Sequence, residues 1–91
     1  MANTTKPNKA QREFIDALQP VLDHWKESVG ETYEIKPFSE TSVEITRPDC
    51  KGLQTMHGLL LDKVSQTCLT RGWTWSVWVH FSGHLFLVVQ P

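Results

Sequence analysis

Residues 73–91, WTWSVWVHFSGHLFLVVQP, decide how this chain can fold. They contain no Lys, Arg, Asp or Glu, and they hold three of the four tryptophans. Apolar residues fall on both sides of a strand-like alternation, so the segment must be buried, paired or covered. We expect it to form the hydrophobic centre of the molecule and, in addition, a surface for a partner.

The dipeptide Ser82-Gly83 predicts the turn of a terminal β-hairpin. A two-residue loop there would place Val79 opposite Phe86, and Val77 opposite Val88. One face of the hairpin would carry Trp73, Trp75, Val77, Val79, Phe81, Phe86 and Val88, and the other face Ser76, Trp78, His80, Leu85, Leu87 and Val89. We expect the first of these faces to lie against helices.

Two helices are predicted before this hairpin. An apolar stripe at helical spacing runs through residues 8–28, with Asn8 as the N-cap and Gly30 as the stop. Pro20 lies inside the stripe, but the apolar positions continue in phase through it, which favours one kinked helix over two. The second helix covers about residues 50–70, with Asp49 as its N-cap and Gly72 as its C-terminal cap.

A first hairpin is predicted between the helices. Tyr33 and Ile35 alternate with Glu34 and Lys36, Val43 and Ile45 alternate with Glu44 and Thr46, and a polar run over residues 39–42 separates the two patterns. Pro37 lacks an N–H and therefore predicts an edge strand. We predict a flexible tail over residues 1–9 and a single α+β domain over residues 10–91. The domain is a two-layer αββαββ fold with a four-stranded, largely antiparallel sheet and both helices on one face.

Charge and cysteine content exclude several classes of protein. The net charge of -1 lacks the basic excess of nucleic-acid binders, although residues 13–49 carry nine acidic residues against three basic ones. We interpret this acidic segment either as a surface that keeps the protein soluble or as a docking face for a basic partner. No apolar run reaches transmembrane length and no signal peptide is evident, so we expect a cytoplasmic protein without membrane contact. Cys50 and Cys68 would lie roughly 27 Å apart along one helix, which predicts free thiols.

No motif for catalysis, nucleotide binding or metal binding is evident, so we expect no cofactor, no metal and no enzyme. His57, His80 and His84 lack an accompanying Cys-x-x-Cys pair. Cys50 would lie near a helix N-terminus, but the nearest base on that helix, His57, would be roughly 10 Å away. That distance is too long for a hydrogen-bonded catalytic pair.

The predicted sheet leaves one face away from the helices, and we expect that face to bind a partner. Its predicted contact residues are Trp78, Leu85, Leu87 and Val89, with Glu34 and Glu44 as an acidic rim. We predict a small non-enzymatic protein-protein interaction module. The biological role that we expect for it is that of a viral or mobile-element protein that inhibits a host factor. The alternatives are that the tail or a helix covers this face, that the chain is a structural homo-oligomer such as a homodimer, or that it is a minor metal-dependent or cysteine-based enzyme.

Overall fold

The protein has the αββαββ order that the sequence predicts. A computed structural model describes residues 6–47, 58–79 and 85–91, the side chains of residues 58 and 59 excepted. The elements are α1 (Lys9–Val29), β1 (Glu34–Ser39), β2 (Ser42–Thr46), α2 (Gly58–Arg71), β3 (Thr74–Val79) and β4 (Leu85–Gln90). The four strands form one antiparallel sheet in the order β1-β2-β4-β3.

Helix α1 begins and ends at the predicted residues. The side chain of Asn8 accepts a hydrogen bond from the backbone N–H of Gln11, and the Gln11 side chain accepts one from the backbone N–H of Asn8, which completes a capping box. Gly30 ends the helix with a left-handed φ of 86°. Pro20 lies within a single helix, as its in-phase apolar neighbours predicted. Of the predicted tail, residues 1–5 lie outside the described residues.

The first hairpin is paired as the alternation predicted, and β1 is an edge strand. Pro37 lies opposite Val43, and the register shifts between Pro37 and Ser39. Gln11 of α1 is buried and donates from Nε2 to the carbonyl oxygens of Ser39 and Ser42. The start of α1 is therefore tied to the turn end of this hairpin.

Helix α2 is described from Gly58 onward, so the predicted N-cap Asp49 and the first turn at Cys50 lie outside the described residues. Its C-terminal end follows the prediction. Gly72 has a φ of 74°, and the N–H of Trp73 donates to the carbonyl oxygen of Cys68 at 2.8 Å. This tight cap turns the chain directly from α2 into β3.

The predicted register of the terminal hairpin is wrong by one residue. Val79 lies opposite Leu85, and Val77 lies opposite Leu87. Because side chains alternate between faces along a strand, a one-residue shift moves every side chain of one strand to the other face relative to its neighbour. The predicted turn at Ser82-Gly83 lies outside the described residues.

The core lies between the helices and one face of the sheet, which we call the helix-covered face. Its buried members are Phe14, Leu18, Leu22 and Trp25 of α1, Leu60, Val64 and Cys68 of α2, Tyr33 before β1, and Val43, Ile45, Leu87 and Val89 of the sheet. Trp73 packs against this cluster, with its ring 4.5 Å from the ring of Phe14. Both helices thus cover the same face of the sheet, as predicted.

Candidate functional site

The face opposite the helices, which we call the open face, holds only part of the predicted set of contact residues. Trp78 lies there, and the strand register places Glu34 and Glu44 on the same side. Leu87 and Val89 do not. Both are completely buried in the core with the helices, and Leu85, which alternates in phase with them, also lies on the helix-covered side.

The physical reason for this correction is the hairpin register. Val43 pairs with Val89, and Ile45 pairs with Leu87, so the apolar sides of β2 and β4 coincide and receive the helices. Phe86 and Val88, predicted to face the helices, lie on the open face instead. Whether any of the predicted residues contacts a partner stays a prediction, but Leu87 and Val89 have no surface with which to do so.

The open face carries an aromatic cluster of Phe38, Trp78 and Phe86. The ring centroid of Phe38 lies 5.4 Å from that of Trp78 and 5.8 Å from that of Phe86, and the Trp78 and Phe86 centroids are 6.2 Å apart. These distances fall in the range of favourable aromatic pairing. Phe86 is 6% exposed, whereas Phe38 and Trp78 are 41% and 48% exposed. The exposed rings of Phe38 and Trp78 therefore cover the ring of Phe86.

This cluster spans the full width of the sheet. Phe38 lies on β1 and Trp78 on β3, which are the two edges of the sheet. Three strand spacings would separate these edges by about 14 Å in a flat sheet. The side chains of Phe38 and Trp78 therefore extend toward each other across the two central strands and meet beside Phe86. Val88 lies on the same face and is 2% exposed.

The Trp78 ring is held in place by a polar contact as well as by its neighbours. Its Nε1–H donates to the Oγ of Ser76 at 2.8 Å, two residues back on the same face. The indole thus presents an apolar surface to solvent while its one polar atom is satisfied. Rigid, half-exposed aromatic side chains of this kind are favoured at the centres of protein interfaces, because little conformational entropy is lost when they are buried.

The charged residues beside the cluster form a weaker acidic rim than predicted. Lys36 lies opposite Glu44, and its Nζ is 3.5 Å from Glu44 Oε1. This ion pair offsets the charge of Glu44. Glu34, which is exposed, is the carboxylate of the predicted pair that remains outside the ion pair.

A second concave region lies between the two helices and holds about 470 Å³. It is lined by Pro20, Val21, His24, Lys63, Gln66, Thr67 and Thr70. The hydroxyls of Thr67 and Thr70 donate to the helix carbonyls of Lys63 and Gln66. His24 Nε2 lies 3.4 Å from Ser28 Oγ on the same helix. Both threonine hydroxyls are therefore engaged with the backbone of their own helix.

The described cysteine lies in the core. Cys68 is free and completely buried, and burial raises the pKa of its thiol to about 11. A thiol with so high a pKa forms little of the reactive thiolate. Among residues 6–47, 58–79 and 85–91, no group of three or more His, Cys, Asp or Glu side chains could hold a metal ion. Cys50, His57, His80 and His84 lie outside these ranges.

Phe38 is the contact candidate that sequence reasoning missed. It continues the alternation of Glu34 and Lys36, so the same period of two placed it on their face. The signal was obscured by Pro37 and by the polar run that follows.

No model of a known protein family matches this sequence, and the search of curated proteins found no similar one. In the described part of the chain, no helix is long and apolar enough to cross a membrane.

Proposed function

We propose that this chain is a small, non-enzymatic protein-binding module that engages its partner through the aromatic cluster on the open face. The observation that carries the proposal is the pair of half-exposed rings, Phe38 and Trp78, which pack against Phe86 on a face that the helices leave uncovered. Aromatic residues so placed are typical of binding hot spots. Partner contact would remove their remaining apolar area from water, which favours association.

The cluster also favours one kind of partner surface. The two exposed rings present a short apolar ridge. The Lys36–Glu44 ion pair lies beside it on the same face, and Glu34 lies two residues further along β1. We infer that the partner offers an apolar depression with a basic or hydrogen-bonding rim. The module acts in the cytoplasm, where free thiols persist. Its role as a viral or mobile-element inhibitor of a host factor stays a prediction.

Affinity capture with matched variants tests this proposal. The bait proteins are the wild type, Phe38→Ser, Trp78→Ser and the control Leu69→Ser, whose leucine is 79% exposed on α2. A specific partner is a protein that the wild type and Leu69→Ser retain from host lysate and that both cluster variants lose. The dissociation constant of that purified partner should rise about 10- to 100-fold for each cluster variant.

Folding of the variants is checked by circular dichroism and by urea unfolding before capture. Phe38 lies on β1, so its replacement leaves the edge of β3 unchanged. Equal retention of every partner by the wild type and by both folded cluster variants would refute the proposed site.

A further inference from the structure

Strand β3 forms one edge of the sheet and lacks the charges, prolines and bulges that normally protect an edge. Residues 74–79 read TWSVWV, with no charge and no proline. All six residues pair with β4 in one unbroken register. Among the described residues, none pairs with the outer side of β3. Its outward N–H and C=O groups are therefore available to another strand.

The other edge of the same sheet is protected. Strand β1 carries Glu34 and Lys36, and Pro37 removes a backbone donor from its middle. The register shift between Pro37 and Ser39 distorts the strand further. Charges, proline and bulges are the features by which natural edges avoid strand addition. The contrast shows that one edge is closed to strand addition and the other is open.

The side chains of β3 match those of a central strand rather than an edge strand. On the helix-covered side, Trp75, Val77 and Val79 are 37%, 45% and 65% exposed, and on the open side Trp78 is 48% exposed. Strands that are apolar on both faces are normally buried on both faces. Strand β4 has this composition and is buried between β2 and β3. Strand β3 is apolar throughout on its helix-covered side and at Trp78 on its open side, where it also carries Thr74 and Ser76, and it lacks the second neighbour.

We propose that the missing neighbour is β3 of a second copy of this chain, paired antiparallel about a twofold axis at Val77. The two four-stranded sheets would then form one eight-stranded sheet with all helices on the same side. In this register Val77 lies opposite its own counterpart, and Trp75 lies opposite Val79 of the second copy. Aromatic and β-branched residues form stabilising cross-strand pairs. This inference rests on β3 and is independent of the proposed function.

Self-pairing fits this edge better than a heterologous strand does. The strand has no charge, so no like charges meet across the axis, and no charge is present to select a charged peptide. A shallow cleft of about 230 Å³ lies beside the edge, lined by Leu61, Asp62, Ser65 and Trp75. Val79 of the second copy, opposite Trp75, would lie at the mouth of this cleft. A single strand pair is a small interface, so the dimer should be weak, with a Kd of about 50 µM.

The test is the solution mass of the purified full chain, by analytical ultracentrifugation, from about 5 µM to about 500 µM. The wild type should rise from 10.4 kDa to twice that mass over this range. Val77→Lys and Val77→Glu should each stay monomeric, because like charges would face each other across the axis. An equimolar mixture of the two variants should restore the dimer, since the opposed charges then attract.

The matched control is Val29→Lys, which introduces the same charge at a valine of similar exposure, 47%, at the end of α1. It should dimerise like the wild type. Val79→Lys provides a second variant if Val77→Lys does not fold. A wild type that stays monomeric throughout would overturn the inference, and so would a dimer that persists in Val77→Lys. A dimer lost only in Phe38→Ser would assign self-association to the open face instead.

Discussion

Gln11 is the buried polar side chain that joins α1 to the first hairpin. It is 3% exposed, accepts from the N–H of Asn8 at 2.8 Å and donates to the carbonyl oxygens of Ser39 and Ser42. A single amide thus satisfies three backbone groups, two of which lie 28 and 31 residues further along the chain. Gln11 lies three residues before Phe14 and in phase with the apolar stripe, but a pattern of apolar residues does not reveal a buried glutamine, because this residue type is normally exposed to solvent.

Gln11→Ala should lower the free energy of unfolding by about 2–3 kcal/mol, because buried backbone groups would lose their hydrogen-bond partner. Gln19→Ala is the matched control. Gln19 lies on the same helix, and its amide donates to Asp23 in an exposed position, so its loss should change stability by less than about 0.5 kcal/mol. Urea unfolding measures both. Equal effects of the two substitutions would show that the Gln11 contacts add nothing to stability.

Cys68 is a core residue whose chemistry should be suppressed by burial. Because the pKa of its thiol is raised from 9.0 to about 11, the unfolded chain releases this proton at a lower pH than the folded chain does. The folded state therefore binds more protons between pH 9 and pH 11, and stability falls as the pH rises through that window. Below pH 9 this contribution is constant.

Unfolding measured from pH 8 to pH 11 should show the wild type losing about 2 kcal/mol more than Cys68→Ala over that window. At pH 8, iodoacetamide should modify the Cys68 peptide slowly in the folded protein and rapidly in urea, as followed by mass spectrometry. Rapid modification of Cys68 in the folded protein would contradict its burial.

Helix α1 shows how a stripe of apolar residues can override an unfavourable residue. Pro20 is exposed and lies in the middle of a 21-residue helix, where it removes one backbone hydrogen bond. The buried residues Leu18 and Leu22 lie on either side of it and pack into the core. Tertiary packing on both sides holds the helix in one piece.

Pro20→Ala should raise the free energy of unfolding by about 1–3 kcal/mol, since it restores an N–H donor and relieves a clash with the preceding turn. Pro20→Gly restores the same donor but has about 1 kcal/mol less helix propensity than alanine, so its gain should be smaller by that amount. Thermal and urea unfolding of the three proteins provide the comparison. A loss of stability in Pro20→Ala would show that the proline ring itself makes a stabilising contact.

The register of the terminal hairpin determines which apolar residues form the core of the whole molecule. In the observed register Leu87 is completely buried and Trp78 is half exposed. Leu87→Ala should therefore lower the free energy of unfolding by about 3–4 kcal/mol, because it leaves a cavity beneath the helices. Trp78→Ala should lower it by about 1 kcal/mol or less. The register predicted from the sequence would have placed both residues on one exposed face and made the two losses similar.

Chemical denaturation at one temperature measures both variants. If Leu87→Ala is as stable as the wild type, Leu87 does not belong to the core. A combined Trp78 and Leu87 variant is unsuitable for testing partner binding, because loss of the fold would remove every surface at once.

Much of the fold was determined by the sequence alone, because its signals are local. The Asn8 cap, the left-handed Gly30 and Gly72, the helical stripe of α1 and the alternation around Ile35 and Val43 each depend on residues a few positions apart. The order αββαββ and the coverage of one sheet face follow from them. Local backbone preferences and hydrophobic periodicity suffice to determine such features.

Two features were decided only by the tertiary structure. The first is the register of β3 on β4, where pairing β4 with Val43 and Ile45 of β2 selects Leu87 and Val89 for the core. The second is the contact across the open face between Phe38 on one edge strand and Trp78 on the other. In residues 73–91 both faces are apolar, so alternation alone could not distinguish them. Only the choice of which face meets the helices separates a residue of the helix-covered core from a residue of the open face here.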